Sequence, residues 1–346
     1  MSKKKKKTIF ISVIVLILLA AIAGGIVFFM TRPPIDKTTA SYNGQLRVDG
    51  ARIVNQHNEE VQLVGISTHG IQWYSNLYNA ASIQELKDEF GINVFRIAMY
   101  VNPDDNGYIA NPSLKDKLYE LVDATIELDM YAIIDWHILN DNNPQTYKKE
   151  ALEFFDEVAA KYAESPNVIY EICNEPNGKE ITWKDHIKPY AEEVIPKIRE
   201  HAPNSLVIVG TPDWDKDLVP VSKEPLDFEN VAYALHFYSG SHNITLRKRM
   251  DTFREKNLAL FVSECGATDS TGDGKLYEEA FTRWQNYLNE KKISWVYWSF
   301  SNKDEASAIV KKKYKPGKAD EETGIDKYLT ESGQILKRAL KPATEE

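Results

Sequence analysis

Eight short apolar runs rich in β-branched residues recur along this chain, each separated from the next by an amphipathic stretch of helical spacing. The runs are Val61–Ser67, Val94–Tyr100, Tyr131–His137, Val168–Glu175, Leu206–Thr211, Val231–Tyr238, Ala259–Glu264 and Ser294–Phe300. Apolar on both faces, they read as strands of a parallel sheet buried on two sides. The intervening patterns, Ser82–Phe90, Leu114–Leu128, Tyr147–Tyr162, Trp183–Glu200, Leu246–Lys256 and Lys275–Glu290, read as covering helices. Ser82-Ile83-Gln84-Glu85 carries a capping-box pattern at one helix start. Eight such alternations predict one (β/α)8 TIM barrel, a size that 346 residues accommodate. A hairpin-like lead-in over Leu46–Glu60, turning at Asp49-Gly50, precedes the barrel. Ala306–Lys327, charged and punctuated by Gly and Pro, is expected to be a surface loop after the last strand.

The N-terminus follows a different pattern. Lys3–Lys7 form a cationic run, and Ile9–Met30 carries no charge. At about 1.5 Å per residue that stretch can cross a bilayer. The lysines would remain cytoplasmic and place the rest of the chain outside the cell, as a single-pass membrane protein. Secretion after cleavage near Thr38-Thr39-Ala40 is the alternative. The expected organisation is therefore a basic run and transmembrane signal-anchor over 1–30, a linker over 31–45, and the barrel domain over 46–346. The first 40 residues hold seven bases and one acid, so removing their excess from the whole-chain −9 leaves about −15. A body this acidic disfavours nucleic acid and suits a neutral polymer.

The chemistry sits at the strand ends, where α/β barrels build their sites. Two runs end on glutamate, at Asn174-Glu175-Pro176 and at Ser263-Glu264. A proton donor and a nucleophile or base, both carboxylic, are what glycoside hydrolysis requires. His69, Arg96 with Tyr100, Asp135-Trp136-His137, His236-Phe237-Tyr238 and Trp298 occupy the ends of other strands. Any one of these fits a packing role, but the set does not. No organic cofactor or metal is called for. No His-x-His or His-Glu-x-x-His spacing occurs, and Asp269–Gly274 fails as a calcium loop because its twelfth position is Ala280. The two cysteines, Cys173 and Cys265, fall on strands assigned to different parts of the barrel and read as buried free thiols.

Taken in order, Ser67–Tyr74, Phe95–Tyr100, Asp135–His137, Asn174–Pro176, His236–Tyr238, Ser263-Glu264 and Trp298-Ser299 resemble glycoside hydrolase family 5, the bacterial endoglucanase branch in particular. The resemblance runs from about Gln45 to the last helix. It implies a retaining endo-β-1,4-glucanase, a cellulase acting on a neutral β-glucan, with Glu175 as acid/base and Glu264 as nucleophile. It further implies that Arg96 and Tyr238 attend the nucleophile and that Asn174 binds the sugar 2-hydroxyl. His137 and His236 would complete the floor, with Trp298 as a wall. His69, Trp73, Tyr100, Trp214, Lys303 and Glu305 correspond to substrate-binding positions. The chain departs from many relatives at Cys265, where they carry tryptophan. The same mechanism on β-mannan, xyloglucan or mixed-linkage glucan, and a non-catalytic polysaccharide-binding surface protein, are the alternative readings. A monomer is expected.

Overall fold

Eight parallel strands close on themselves in the computed structural model, which describes residues 36–319 and 322–340. A two-stranded antiparallel hairpin comes first, β1 (Arg47–Asp49) and β2 (Arg52–Val54), turning through Gly50 at φ +61° as its Asp-Gly signal predicts. The barrel strands follow as β3 (Val64–Thr68), β4 (Val94–Tyr100), β5 (Tyr131–His137), β6 (Val168–Glu171), β7 (Val207–Val209), β8 (Val231–Tyr238), β9 (Leu260–Gly266) and β10 (Trp295–Phe300). They neighbour one another in chain order, and β10 pairs with β3 to complete the ring. Gly65 lets β3 lie close against its neighbour, since a Cβ there would sit 2.1 Å from the Val94 carbonyl oxygen.

Helices Ala80–Phe90, Leu114–Glu127, Lys148–Lys161, Lys188–His201, Ile244–Arg254, Glu278–Glu290 and Glu331–Leu340 bury apolar stripes. Those stripes meet the outward residues of the strands, such as Phe95, Ile97 and Met99 of β4, in the largest apolar cluster. The strand alternation is therefore complete, with outward positions greasing the helices and inward positions filling the barrel.

Several boundaries differ from the sequence expectation. β6 ends at Glu171 because Asn174 and Glu175 leave the ladder and donate their N–H groups to Trp136 O and Ile138 O instead. The first barrel helix starts two residues early, and its capping box joins Asn79 to Ser82 rather than Ser82 to Glu85. Glu85 instead accepts from the Tyr314 hydroxyl and the Ala319 N–H, holding the excursion after β10. That excursion is more than a surface loop, since Ala308, Ile309, Val310, Tyr314 and Ile325 are buried. Ala40–Asn43, within the span expected as a linker, form one helical turn in the same compact unit as the barrel. Ala40 N–H donates to Asp129 O at 3.1 Å. Among the described residues no helix is long and apolar enough to cross a membrane. The span expected over Ile9–Met30 lies outside them.

Candidate active site

The alternation of each strand carries the site. On β4, Val94, Arg96, Ala98 and Tyr100 succeed one another along the inner face; on β5 the series is Tyr131, Ile133, Asp135 and His137. On β8 it is Ala232, Ala234, His236 and Tyr238. Each series begins apolar and turns polar towards the carboxyl end of its strand. The polar tier meets at Arg96, which is fully buried. Its Nε donates to Glu171 at 2.6 Å, and its Nη2 donates to Asn174 Oδ1 at 2.6 Å and sits 3.0 Å from Asp135. Its Nη1 reaches Glu264 at 3.4 Å and Ser67 Oγ at 3.3 Å. One guanidinium thus faces three carboxyl groups, a task its planar fork of donors suits.

Glu175 and Glu264 face each other above this hub. One carboxylate oxygen of each, with a ring nitrogen of His236, lies within 4.8 Å of the others. The Tyr238 hydroxyl donates to Glu264 Oε1 at 2.6 Å, and His236 Nδ1 lies 2.8 Å from Glu175 Oε1. Burial pushes both carboxyls up to about 7, with Arg96 pulling each back down. Glu264 alone has the Tyr238 hydroxyl bond and direct contact with the guanidinium, so the pair's first ionisation belongs there and the remaining proton to Glu175. Burial also lowers His236 to about 4 and His69 to about 3, and holds His137 well below the usual histidine range. All three imidazoles are neutral at pH 7. His137 Nδ1 donates to Asp135 at 2.6 Å, leaving Nε2 towards Asn174.

A cleft of about 570 Å³ opens over these groups. His69, Trp73, Tyr100, His137, Glu175, Trp214, His236, Tyr238, Glu264, Trp298, Lys303 and Glu305 all line it, while Arg96 and Asn174 lie buried beneath. Every site residue named from the sequence is thus brought to one place. The rings of His137 and Trp298 stack at 5.4 Å, and those of Tyr100 and Trp73 sit 4.7 Å apart. Trp73 and Trp214 are 44% and 42% exposed at the cleft edge, and the Lys216 ammonium stands over the Trp214 ring at 5.1 Å. Lys303 and Glu305 form an ion pair on the cleft wall.

Sequence reasoning overlooked Asp105, Asn140, Lys216, His242 and Ser270–Gly272, which also line the cleft. These sit on loops, where no periodicity marks them. It also overlooked Glu171 and Asp215, both fully buried. Glu171 did leave a signal, an acid at an inward position of an apolar strand. Cys173 and Cys265 are buried and free, and Cys265 Sγ donates to Val296 O at 3.3 Å.

Two clusters among the described residues carry the donor atoms for a metal ion. In the first, Glu175, His236 and Glu264, the Arg96 guanidinium already supplies the cation for Glu264 and His236 Nδ1 is engaged with Glu175. In the second, Asp156, Glu200 and His201, the Lys197 ammonium stands 3.0 Å from Glu200 and 4.0 Å from Asp156. Each group contains its own cation, and each is accounted for by proton handling or ion pairing.

Comparison with known proteins gives one consistent result. Residues 54–304 match the family model described as cellulase, glycosyl hydrolase family 5. An endoglucanase of Clostridium saccharobutylicum is 43% identical over 306 residues, covering 88% of this chain and 67% of its own length. Endoglucanase A of Evansella cellulosilytica is 50% identical over 252 residues, covering 73% of this chain and 51% of its own length. The chain therefore spans about half to two thirds of these relatives. Among solved structures, the catalytic domain of a Thermobifida fusca endoglucanase superposes with a TM-score of 0.81 at 33% identity, covering 87% of this chain and 99% of that one. A variant of that domain, solved with cellotetraose, superposes at 0.79. With the ordered strand-end residues, the closed barrel and these matches in agreement, the chain belongs to glycosyl hydrolase family 5.

Proposed function

We propose that this chain is a retaining endo-β-1,4-glucanase working as a monomer. The observation that carries the reading is the carboxylate spacing. An oxygen of Glu175 and one of Glu264 lie within 4.8 Å of each other, a close approach that favours the short carboxyl separation of retaining enzymes, about 5–5.5 Å, over the 6.5–9.5 Å of inversion. Glu264, ionised between Arg96 and Tyr238, attacks the anomeric carbon. Glu175 gives its proton to the departing glycosidic oxygen as that bond breaks. Glu175, now a carboxylate, takes a proton from water, and the resulting attack releases the sugar and restores Glu264. Asn174, held by Arg96, faces the 2-hydroxyl of the reacting sugar, with His137 beside it and Trp298 as the wall.

The endo character rests on the cleft's course. Trp73 follows β3 and Trp214 follows β7, strands four places apart in a ring of eight and thus on opposite sides of the barrel mouth. A groove crossing the mouth accepts the middle of a polymer. The solved relative with cellotetraose and the endoglucanase names of the relatives support a β-glucan. Expression of residues 38–346, the whole compact unit, with soluble cellulose, mixed-linkage glucan, mannan and xyloglucan tests this. Rapid viscosity loss on β-1,4-glucans is expected, and Glu264→Gln should lower turnover at least about 1000-fold while melting normally. Near-normal activity in that variant would sink the assignment, and silence of the native barrel on all four polymers would return the binding-protein reading.

The same proposal places the enzyme at the cell membrane, catalytic domain outward, through Lys3–Lys7 and the uncharged Ile9–Met30. Full-length protein should stay with membranes through a salt wash. Soluble protein beginning near Ser41 would mean cleavage and secretion instead.

A further inference from the structure

Asp215 is fully buried beside the reacting carboxyls and has no place in the mechanism above. Its Oδ1 accepts the Thr211 N–H, while its Oδ2 is buried without a hydrogen-bond partner. That unpartnered oxygen lies 3.2 Å from His236 Nε2. The opposite ring nitrogen, Nδ1, lies 2.8 Å from Glu175 Oε1. Asp215, His236 and Glu175 therefore stand in one line of contacts that ends at the group that must give and take the catalytic proton, and a proton on Oδ2 is what would turn the first contact into a hydrogen bond. The backbone is strained to build it. Asp213, Trp214 and Asp215 have φ of 61°, 54° and 58°, three consecutive non-glycine residues in the left-handed region. That turn presents Trp214 to the cleft and Asp215 to the imidazole.

The surrounding charges fix where the proton on this chain resides. Glu171 Oε1 lies 4.0 Å from His236 Nε2, and Ser263 Oγ lies 3.0 Å from it. Arg96 from β4 is already shared among Asp135 of β5, Glu171 of β6 and Glu264 of β9. Lys216, next along the turn, forms an ion pair with Asp213. Among the described residues, the only basic side chain paired with Asp215 is His236, which burial keeps neutral. A buried carboxylate without its own cation is costly, and burial accordingly raises Asp215 well above the carboxylate range.

We propose that Asp215 is a positioning residue for the acid/base. As a neutral acid it donates from Oδ2 to His236 Nε2 and holds the imidazole in the tautomer that donates from Nδ1 to Glu175 Oε1. Glu175 Oε2 is thereby left as the oxygen that carries the transferable proton. That proton passes to the glycosidic oxygen as the bond breaks and is replaced from the attacking water. Asp215 and His236 keep theirs throughout. The inference rests on Glu175 being the acid/base.

The test combines the ring-nitrogen NMR shifts of 15N-histidine-labelled protein with kcat/KM on aryl β-cellobiosides bearing activated and unactivated leaving groups. In the native enzyme His236 should show a protonated Nδ1 and a bare Nε2. Asp215→Leu should mix the tautomers, displace the alkaline limb of the pH profile, and lower kcat/KM about 10-fold on the unactivated glycoside. On the activated one, which needs little acid assistance, the loss should stay within about 2-fold. Asp215→Asn, whose amide donates in the same direction, should restore the tautomer and most of the leaving-group dependence. A native His236 protonated at Nε2, or equal losses on both glycosides, would overturn the proposal. The tautomer measurement needs no turnover, so it decides the matter even if Asp215→Leu does not fold. Full activity in Glu175→Gln would instead remove the acid/base assignment itself, independently of the tautomer.

Discussion

The two ends of the barrel are built from the same strands and hold opposite chemistry. At the lower end, Val94, Ile133, Ile169, Ala234, Phe261 and Val296 pack in one apolar cluster with Leu46 and Ile53 of the lead-in segment. Two residues further along, Arg96, Asp135, Glu171, His236, Ser263 and Trp298 take their places. That step is a rise of about 6.6 Å. Both tiers are buried, so burial does not distinguish them. The lower tier satisfies itself by contact alone and is closed by the hairpin. The upper tier is held together by an arginine whose loss would leave several acids uncompensated. The lesson is that one barrel can assign stability to one end and chemistry to the other without changing its backbone plan.

Arg96→Met makes the upper tier chemically resemble the lower one, and should be the most damaging change. It strands three carboxyls, so about 3–5 kcal/mol of stability should be lost at pH 7 along with nearly all activity. Urea titration should show a smaller loss at pH 5, where Asp135 and Glu264, both raised by burial, take up protons. Phe261→Ala tests the other end. It should cost about 3–5 kcal/mol through cavity formation, yet leave kcat on soluble cellulose within about 2-fold at a temperature where the variant is folded. If kcat fell as steeply as stability, the division between the ends would be wrong.

A pH scan separates the tiers more gently. Glu175, Glu264 and Asp135 are raised to about 7 from 4.5, 4.5 and 3.8, burial being the first cause of each. Groups raised in this way bind protons more tightly when folded. Their contribution is complete below about pH 4 and is lost as pH rises through about 7. The melting temperature should therefore fall between pH 5 and 8, and Glu175→Gln should flatten that slope, as scanning calorimetry can show. The smallest effect is expected at the exposed edges of the cleft. Trp73→Ala and Trp214→Ala should each raise KM about 3- to 10-fold on soluble cellulose, with kcat nearly unchanged.

The inward series on β4, β5 and β8 was legible because a strand's period of two is a local property. Val-Phe-Arg-Ile-Ala-Met-Tyr announces which residues face the helices and which face the barrel. The two glutamates and the arginine stand out against it. What escaped notice depends on contacts distant in sequence. Ser270–Gly272 line the cleft because Ser307 donates its N–H to Gly272 O, a pairing no local pattern encodes. The early end of β6 reflects hydrogen bonds from Asn174 and Glu175 to Trp136 at the end of β5 and to Ile138 just beyond it. Asp215 was hidden by a left-handed turn that the Thr211-Pro212-Asp213-Trp214 run does not advertise, since tryptophan rarely adopts it.

The docked turn at Ala40–Asn43 sets how the enzyme can be held. Ala40 bonds to Asp129, and the Tyr131 hydroxyl bonds to Gly44 O, both beside the start of β5 and therefore at the closed end. A bead, a fusion partner or any other support that grips the chain ahead of Ala40 loads it from the rear. A support attached there lies at the end of the barrel away from the mouth and does not compete with the polymer for the cleft.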